Sequence, residues 1–242
     1  MYHLKILTKD THPTAQDIAN EIVAHPNRPY AIDRSEYSSF DQVTNKQLLG
    51  NNCSICIKST DDLFQTDIKE LIAIGSSKVN LNPKDFLERD LLIHLQDGAS
   101  MIISTQDGFD LNQIKKFVKK GKENTFLLAS VELTEKYLTD SLNDRASVLI
   151  KKGDGFNDFA LTRIAKIGGS RINIQANGFT DFRLKTFLDA KAIITIGEGN
   201  KLSPTSIKAL TRKYRNQIHI SSAHFDDKVW LEKVEILGGV IV

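Results

Sequence analysis

The chain has 242 residues, of which 40% are hydrophobic and 26% are charged, with a formal net charge of +2. This composition suffices for a sizeable core, and the near-neutral balance provides no overall field that would draw the protein to nucleic acid or to a membrane surface. No apolar run approaches the length of a membrane span, and the start MYHLKILTKD lacks the core of a signal peptide. We therefore expect a cytoplasmic protein, or one secreted without a cleaved Sec signal, and no membrane partner.

Residues 1–53 follow a strand–helix pattern only loosely. Apolar pairs at Leu4/Ile6 and Tyr30/Ile32 predict two strands, but three prolines cluster in this stretch and the spacing is longer than in the rest of the chain. Terminal repeats are usually atypical because one of their sides faces water. We interpret residues 1–53 as irregular N-terminal capping repeats.

Residues 54–238 are built from regular repeats of alternating length. Each repeat predicts a short strand whose second and fourth residues are apolar, and this spacing of two places both on one face. The pairs are Ile55/Ile57, Val79/Leu81, Met101/Ile103, Phe126/Leu128, Val148/Ile150, Ile172/Ile174, Ile194/Ile196 and Ile218/Ile220. Apolar residues at helical spacing follow each pair, so every strand leads into an amphipathic helix.

The repeats predict one α/β domain spanning residues 1–242. We expect a right-handed repeat solenoid with a parallel sheet on its concave face, helices on its convex face, and alternating units of about 24 and 22 residues. Residues 239–242 read as a terminal strand with no helix after it. Exposed sheet edges tend to pair with another strand, so a homodimer through this C-terminal edge is one hypothesis.

Two local motifs invite a chemical interpretation that we do not favour. Cys53 and Cys56 form a C-x-x-C, but alternation places them on opposite sides of one strand, and a zinc site would need two more ligands. The basic run Lys115–Lys122 favours a solvated helix face over a nucleic-acid patch. We therefore predict no metal ligands, no cofactor and no catalytic residues.

The short strands of x-Ile-x-Ile form, each joined to a helix within 22 to 25 residues, resemble the leucine-rich-repeat class of α/β solenoid. The two alternating unit types are similar to those of its ribonuclease-inhibitor-like members. Where the class places Asn or Cys after the strand, Asn177 matches and the other repeats carry other residues. Proteins of this class mostly bind other proteins through the strand-lined face, which is what the resemblance implies.

The residues predicted to face away from the helices form two ladders along the sheet, which include Cys56, Asp33 and Lys58. Within them, an apolar centre with a polar rim is typical of a protein interface. The residues predicted to bind a partner are Asn80, Ile102, Ser104, Leu127, Ala129, Leu149, Lys151, Asn173, Gln175, Thr195 and His219.

The function predicted from this surface is a non-enzymatic protein-protein interaction module, of the effector, inhibitor or immunity type, that binds another protein through the concave face. Two alternatives stay open. One is a nucleic-acid-binding protein that uses the basic convex helices. The other is an enzyme with a site at the concave strand ends around His219 and Lys151, which predicts perturbed ionisable groups there.

Overall fold

The computed structural model describes residues 5–26, 28–51, 53–61, 63–197, 199–221, 225 and 227–242. Its contacts divide the chain into two compact units, which we call the N-terminal unit (residues 1–126) and the C-terminal unit (residues 127–242). Strands and helices alternate in both, and the strands pair in parallel. The predicted α/β class with a parallel sheet is therefore confirmed, whereas a single domain spanning the chain stays a prediction.

In the N-terminal unit, five strands pair in chain order from β1 to β5. These strands are β1 (Lys5–Leu7), β2 (Tyr30–Asp33), β3 (Cys53–Ile57), β4 (Val79–Leu81) and β5 (Ser100–Ile103). The helices between and after them are α1 (Ala15–Ala24), α2 (Gln42–Gly50), α3 (Gln65–Gly75), α4 (Glu88–Gln96) and α5 (Leu111–Gly121). A further strand, β6 (Thr125–Leu128), crosses the boundary between the two units.

In the C-terminal unit, five strands pair in chain order from β7 to β11. These strands are β7 (Ser147–Ile150), β8 (Ile172–Gln175), β9 (Ile193–Ile196), β10 (Ile218–Ile220) and β11 (Val240–Ile241). The helices are α6 (Glu135–Asn143), α7 (Asp158–Gly168), α8 (Asp181–Asp189), α9 (Pro204–Tyr214) and α10 (Lys228–Ile236).

The alternation of unit length has a local cause at the end of each helix. From α3 onward the helices alternate between 11 and 9 residues. Each 11-residue helix runs into a single 3-10 turn before the next strand, and these turns are Ser76–Lys78, Lys122–Asn124, Gly169–Arg171 and Arg215–Gln217. The first residue of each such turn has a positive φ between 48° and 54°, which ends the helix.

The helix-facing sides of the strands form the core, as the alternation of apolar residues predicts. The predicted pairs of β3, β4, β5, β7, β8, β9 and β10 are all buried. Such burial of branched aliphatic residues is the main favourable term for a fold of this kind. The strands and the helices they carry could thus be placed from sequence.

Strand β6 has the opposite orientation to the predicted one. Leu127 is 0% exposed and Ala129 is buried, while Phe126 and Leu128 are partly exposed. The Thr125 hydroxyl donates to the Phe117 carbonyl of α5, so a threonine occupies the helix-facing position expected for an apolar residue. The prediction that Leu127 and Ala129 face away from the helices is therefore wrong.

The outer strands also depart from the predicted pattern. In β1, Leu7 is buried and Ile6 is 48% exposed, the reverse of the predicted orientation, while Leu4 lies outside the described residues. Ile241 of β11 and Val242, which follows it, are both buried, which leaves less apolar surface at this end than the sequence indicated. Dimerisation through the C-terminal strand stays a prediction.

Candidate functional site

In parallel sheets of α/β proteins, ligands bind beyond the carboxyl ends of the strands. At this edge of the N-terminal unit, Asp33 ends β2 and Lys58 follows β3 directly. The Lys58 Nζ atom lies 2.9 Å from Asp33 Oδ2 and donates to Ser35 Oγ at 3.0 Å. Ser35 Oγ in turn donates to Asp33 Oδ1 at 2.7 Å. We call Asp33, Ser35 and Lys58 the strand-end cluster.

The loop that carries Ser35 is held in place by a buried arginine. Arg34 is 6% exposed, and its Nη1 and Nη2 atoms donate to the carbonyls of Tyr37 and Phe40 at 2.9 and 3.0 Å. The Tyr37 hydroxyl donates to the His12 carbonyl at 3.1 Å, which connects the loop to the first repeat. A buried guanidinium that satisfies backbone carbonyls fixes the loop, and with it the position of Ser35.

The strand-end cluster keeps its charges at neutral pH. Burial raises the pKa of Asp33, but hydrogen bonds from Lys58 and Ser35 outweigh it and leave the pKa below its ordinary value of 3.8. The hydrogen bond to Asp33 raises the pKa of Lys58 above 10.5. Both charged forms are therefore favoured, because each partner stabilises the other.

A second carboxyl group lies beneath the cluster. Asp61 is buried and its Oδ2 atom accepts a hydrogen bond from the Lys58 backbone N–H at 2.8 Å. Burial raises the pKa of Asp61. Equivalent carboxylates close the turns after β5 and β7, where Asp107 accepts from the Ser104 N–H and Asp154 from the Lys151 N–H. An aspartate that accepts a backbone N–H is thus a recurring element of these turns. In the turn after β3, this aspartate is Asp61, and it holds the backbone of Lys58 in place.

Lys58 is the group of the cluster that can bind negative charge, and Asp33, Asp61 and Asp85 act on its ammonium as negative charges. An ammonium with a raised pKa is a poor general base, so Lys58 does not activate Ser35 as a nucleophile in the way that a neutral lysine would. A fixed ammonium is instead a donor for an oxygen that carries or develops negative charge. Among the described residues, Lys58 Nζ has hydrogen bonds to Asp33 and Ser35, which leaves one N–H of the ammonium for such an oxygen.

The two cysteines have no reactive character. Both are free thiols, and Cys56 lies beside Asp33 and Asn80 in the register of the sheet. Burial raises the pKa of Cys53 to about 12 and that of Cys56 to about 11. A thiolate is the nucleophile and the metal ligand, so both thiols are inert at neutral pH. Among the residues that the structure describes, no group of three or more His, Cys, Asp or Glu side chains is placed to hold a metal ion.

In the C-terminal unit, three of the predicted site residues lie close together on the sheet face. The Thr195 hydroxyl donates to Asn173 Oδ1 at 3.0 Å, and His219 pairs with Thr195 in the sheet register. His219 Nε2 lies 3.1 Å from the Asn216 carbonyl. Burial lowers the pKa of His219 to about 4, so its imidazole is neutral at physiological pH. We call Asn173, Thr195 and His219 the polar row.

The other predicted site residues are spread over different environments. Asn80 is buried and accepts a hydrogen bond from the Ser100 hydroxyl. The remaining residues are partly exposed (Ile102, Ser104, Leu149 and Gln175), buried on the helix side (Leu127 and Ala129) or exposed (Lys151). Of this group, Gln175 lies next to the polar row, because it pairs with Thr195 in the sheet register.

Sequence reasoning missed Arg34, Ser35 and Asp61 altogether, and it did not treat Asp33 and Lys58 as a site. The available signal was their opposite charge at the same ladder position of neighbouring repeats. In the basic run of α5, Lys116 forms an ion pair with Glu88, and Lys120 donates a hydrogen bond to the neutral amide of Gln96; both partners lie on α4. None of the described helices is long and apolar enough to cross a membrane.

No protein-family model matches the chain, and no curated protein matches it. A mutant tryptophan synthase alpha-subunit from Pyrococcus furiosus shares 14% identity with a TM-score of 0.39, over 67% of this chain and 84% of that one. A structure of the tryptophan synthase complex from the same organism shares 14% with a TM-score of 0.38, over 98% and 84%. A proposed lyase/mutase from Burkholderia cenocepacia shares 13% with a TM-score of 0.39, over 93% and 80%.

At such low similarity the activities of these proteins do not carry over to this chain. The turns after β3, β5 and β7 are closed by aspartates of their own repeat instead of the asparagine of that class. The resemblance to the leucine-rich-repeat class is therefore wrong. The non-enzymatic interaction module of effector, inhibitor or immunity type that rested on it is wrong as well.

Proposed function

We propose that the protein is an enzyme that binds a small anionic substrate at the carboxyl ends of β2 and β3. The observation that carries the proposal is the strand-end cluster, in which the Lys58 ammonium is held by Asp33 and Ser35 at 2.9 and 3.0 Å. A cation fixed in this way costs no reorganisation when negative charge develops on a substrate oxygen. The substrate class is a small carboxylate or phosphate, since both present such an oxygen.

Each member of the cluster has a distinct role in this proposal. Lys58 donates to the substrate oxygen, Asp33 keeps the ammonium charged and oriented, and Ser35 positions it from the loop that Arg34 fixes. Lys58 and Asp33 are partly exposed, so a ligand from solvent can reach them. The pKa of His219 in the polar row is perturbed as well. The alternative enzyme site, however, pairs His219 with Lys151, which is exposed. Among the described contacts, the Lys151 side chain has no partner near the polar row.

The test follows substrate consumption and binding together. A mixture of small carboxylates and phosphate esters is incubated with the wild type and with Lys58→Met, and its composition is followed by NMR. We expect the wild type to consume at least one compound and Lys58→Met to be slower by about 100-fold, as for the loss of one oxyanion donor. Separate carboxylate and phosphate mixtures identify the substrate class.

The chain offers a matched control in Lys46. Its side chain is 36% exposed against 35% for Lys58, and it pairs with Glu70 at 2.7 Å on the helical side of the same unit. Lys46→Met should retain full activity. Equal rates for wild type and Lys58→Met, or no consumption and no binding of any carboxylate or phosphate by the wild type, would contradict the proposal.

We also infer that each strand–helix–strand crossover is right-handed, as the predicted solenoid requires. The support is general: crossovers between neighbouring parallel strands are right-handed in about 98% of cases. An experimental structure that traces a left-handed crossover between any two neighbouring strands would refute this.

A further inference from the structure

A histidine side chain is fully buried in the core of the N-terminal unit. His94 lies on α4 and is 0% exposed. Among the described residues, neither of its ring nitrogens has a hydrogen-bond partner. Buried polar groups are nearly always hydrogen-bonded, so this side chain needs an explanation beyond packing.

The repeats show what packing alone would place there. In two other repeats a helix phenylalanine packs edge-on against a loop phenylalanine: Phe117 against Phe109 at 5.0 Å and Phe187 against Phe179 at 5.5 Å between ring centroids. His94 takes the same position against Phe86, edge-on, at 6.3 Å. An imidazole thus stands where the fold accepts a phenyl ring.

Charged groups of both signs lie near His94, but burial has the largest effect on its pKa. Asp90 on α4 and Asp97, which directly follows that helix, favour the charged form of His94, while Lys69 of α3 opposes it. The facing side of α5 carries Lys116 and Lys120, whose ammonium groups are held by Glu88 and Gln96. The 3-10 turn before Phe86 carries Lys84 and Asp85. Burial outweighs the two aspartates and lowers the pKa of His94.

We propose that His94 is an acid-sensitive switch: its protonation releases α4 from the core of the N-terminal unit. The neutral ring packs as an aromatic side chain, whereas an imidazolium there would be a buried charge without a hydrogen-bonded partner. The charged ring is accommodated only when α4 detaches and exposes it to water. Acidification therefore shifts the population toward the open form.

The direction and size of the effect follow from linkage. At a pH above 6.5, the ordinary pKa of histidine, the closed form is favoured in full. This preference declines as the pH falls below 6.5 toward the lowered pKa that His94 has in the closed form. At pH 5.0 an exposed imidazole is protonated about 30 times more often than not, which sets an upper limit of about 30-fold on the increase in opening.

The test is hydrogen exchange of α4 peptides at pH 7.5 and 5.0, after correction for intrinsic exchange rates. We expect opening of α4 to increase by up to about 30-fold in the wild type. The increase should vanish in His94→Phe, which reproduces the arrangement of the Phe117 and Phe187 repeats. His94→Leu serves the same purpose if the phenyl ring does not fit.

Two outcomes would overturn the proposal. One is an α4 opening in the wild type that does not change between the two pH values. The other is a pH dependence that persists unchanged in a folded His94→Phe or His94→Leu variant, because another group would then be responsible. Neither outcome depends on the strand-end cluster or on turnover.

Discussion

The strand-end cluster of the N-terminal unit and the polar row of the C-terminal unit differ in exposure and in charge. In the N-terminal unit the strand-end cluster is charged and partly exposed, with Asp33 and Lys58 sharing hydrogen bonds at the edge of the sheet. In the C-terminal unit the polar row lies on the sheet face with Asn173 and His219 buried and Thr195 partly exposed, and its one titratable member, His219, is neutral. The difference follows from exposure: an ion pair that water reaches keeps both of its charges, whereas burial keeps the imidazole neutral.

The largest effect is expected when a full charge is forced into the buried side of the sheet. Leu127→Asp places a carboxylate at a position with 0% exposure, and should lower the free energy of unfolding by more than about 4 kcal/mol. Leu149→Asp places the same group on the partly exposed side of β7 and should cost much less. Urea denaturation of both variants measures the difference, and equal losses would contradict the orientation of β6.

An intermediate effect is expected when the buried polar row is made to carry a charge. A histidine with a lowered pKa stabilises the folded state fully above 6.5 and loses this contribution as the pH falls toward about 4. The lowering of the His219 pKa from 6.5 to about 4 corresponds to about 3 kcal/mol of folding stability. We expect His219→Gln, which keeps an N–H donor, to lose less stability than the wild type between pH 7 and pH 4.5 in urea denaturation.

Burial lowers the pKa of His94 as well, so His219→Gln is also measured in the His94→Phe background, which separates the two contributions. If the wild type and His219→Gln lose stability in parallel across this range, His219 is not buried as the structure has it.

The smallest effect is expected when charge is removed from the exposed edge. Asp33→Asn breaks the ion pair with Lys58, but both side chains are partly exposed and water compensates. The loss should be below about 1 kcal/mol, as for other exposed ion pairs. It should shrink further at high salt, because screening weakens the pair that the wild type retains. A loss of several kcal/mol, independent of salt, would mean that the cluster is a buried structural pair.

The regular part of the fold was accessible from the sequence because burial repeats with a fixed period. The pairs from Ile55/Ile57 to Ile218/Ile220 face the helices as their spacing predicts, except in β6. There, Phe126, Leu127 and Leu128 are consecutive apolar residues, so a period of two fits either orientation. The 3-10 turn Lys122–Asn124 decides between them, because strands that follow such a turn begin with a helix-facing residue.

The candidate site was less accessible because its members come from different repeats. Asp33 and Lys58 are 25 residues apart, and only the pairing of β2 with β3 brings their side chains within 2.9 Å. Arg34 and Ser35 lie in a loop with no repeat to compare, so no periodic signal identifies them. The family resemblance failed for a related reason: the strand spacing of a solenoid class is less specific than the turn residues that distinguish one class from another.

The sequence by itself determined the alternation of strand and helix, the two unit lengths and most of the core, because hydrophobic burial leaves a periodic pattern in the chain. Tertiary structure alone decided the orientation of β6, the contacts of Lys58 with Asp33 and Ser35, and the burial of His94, whose ring nitrogens have no hydrogen-bond partner among the described residues. These depend on how strands register and on which groups share a low-dielectric interior, and neither is written in the spacing of residues along one chain.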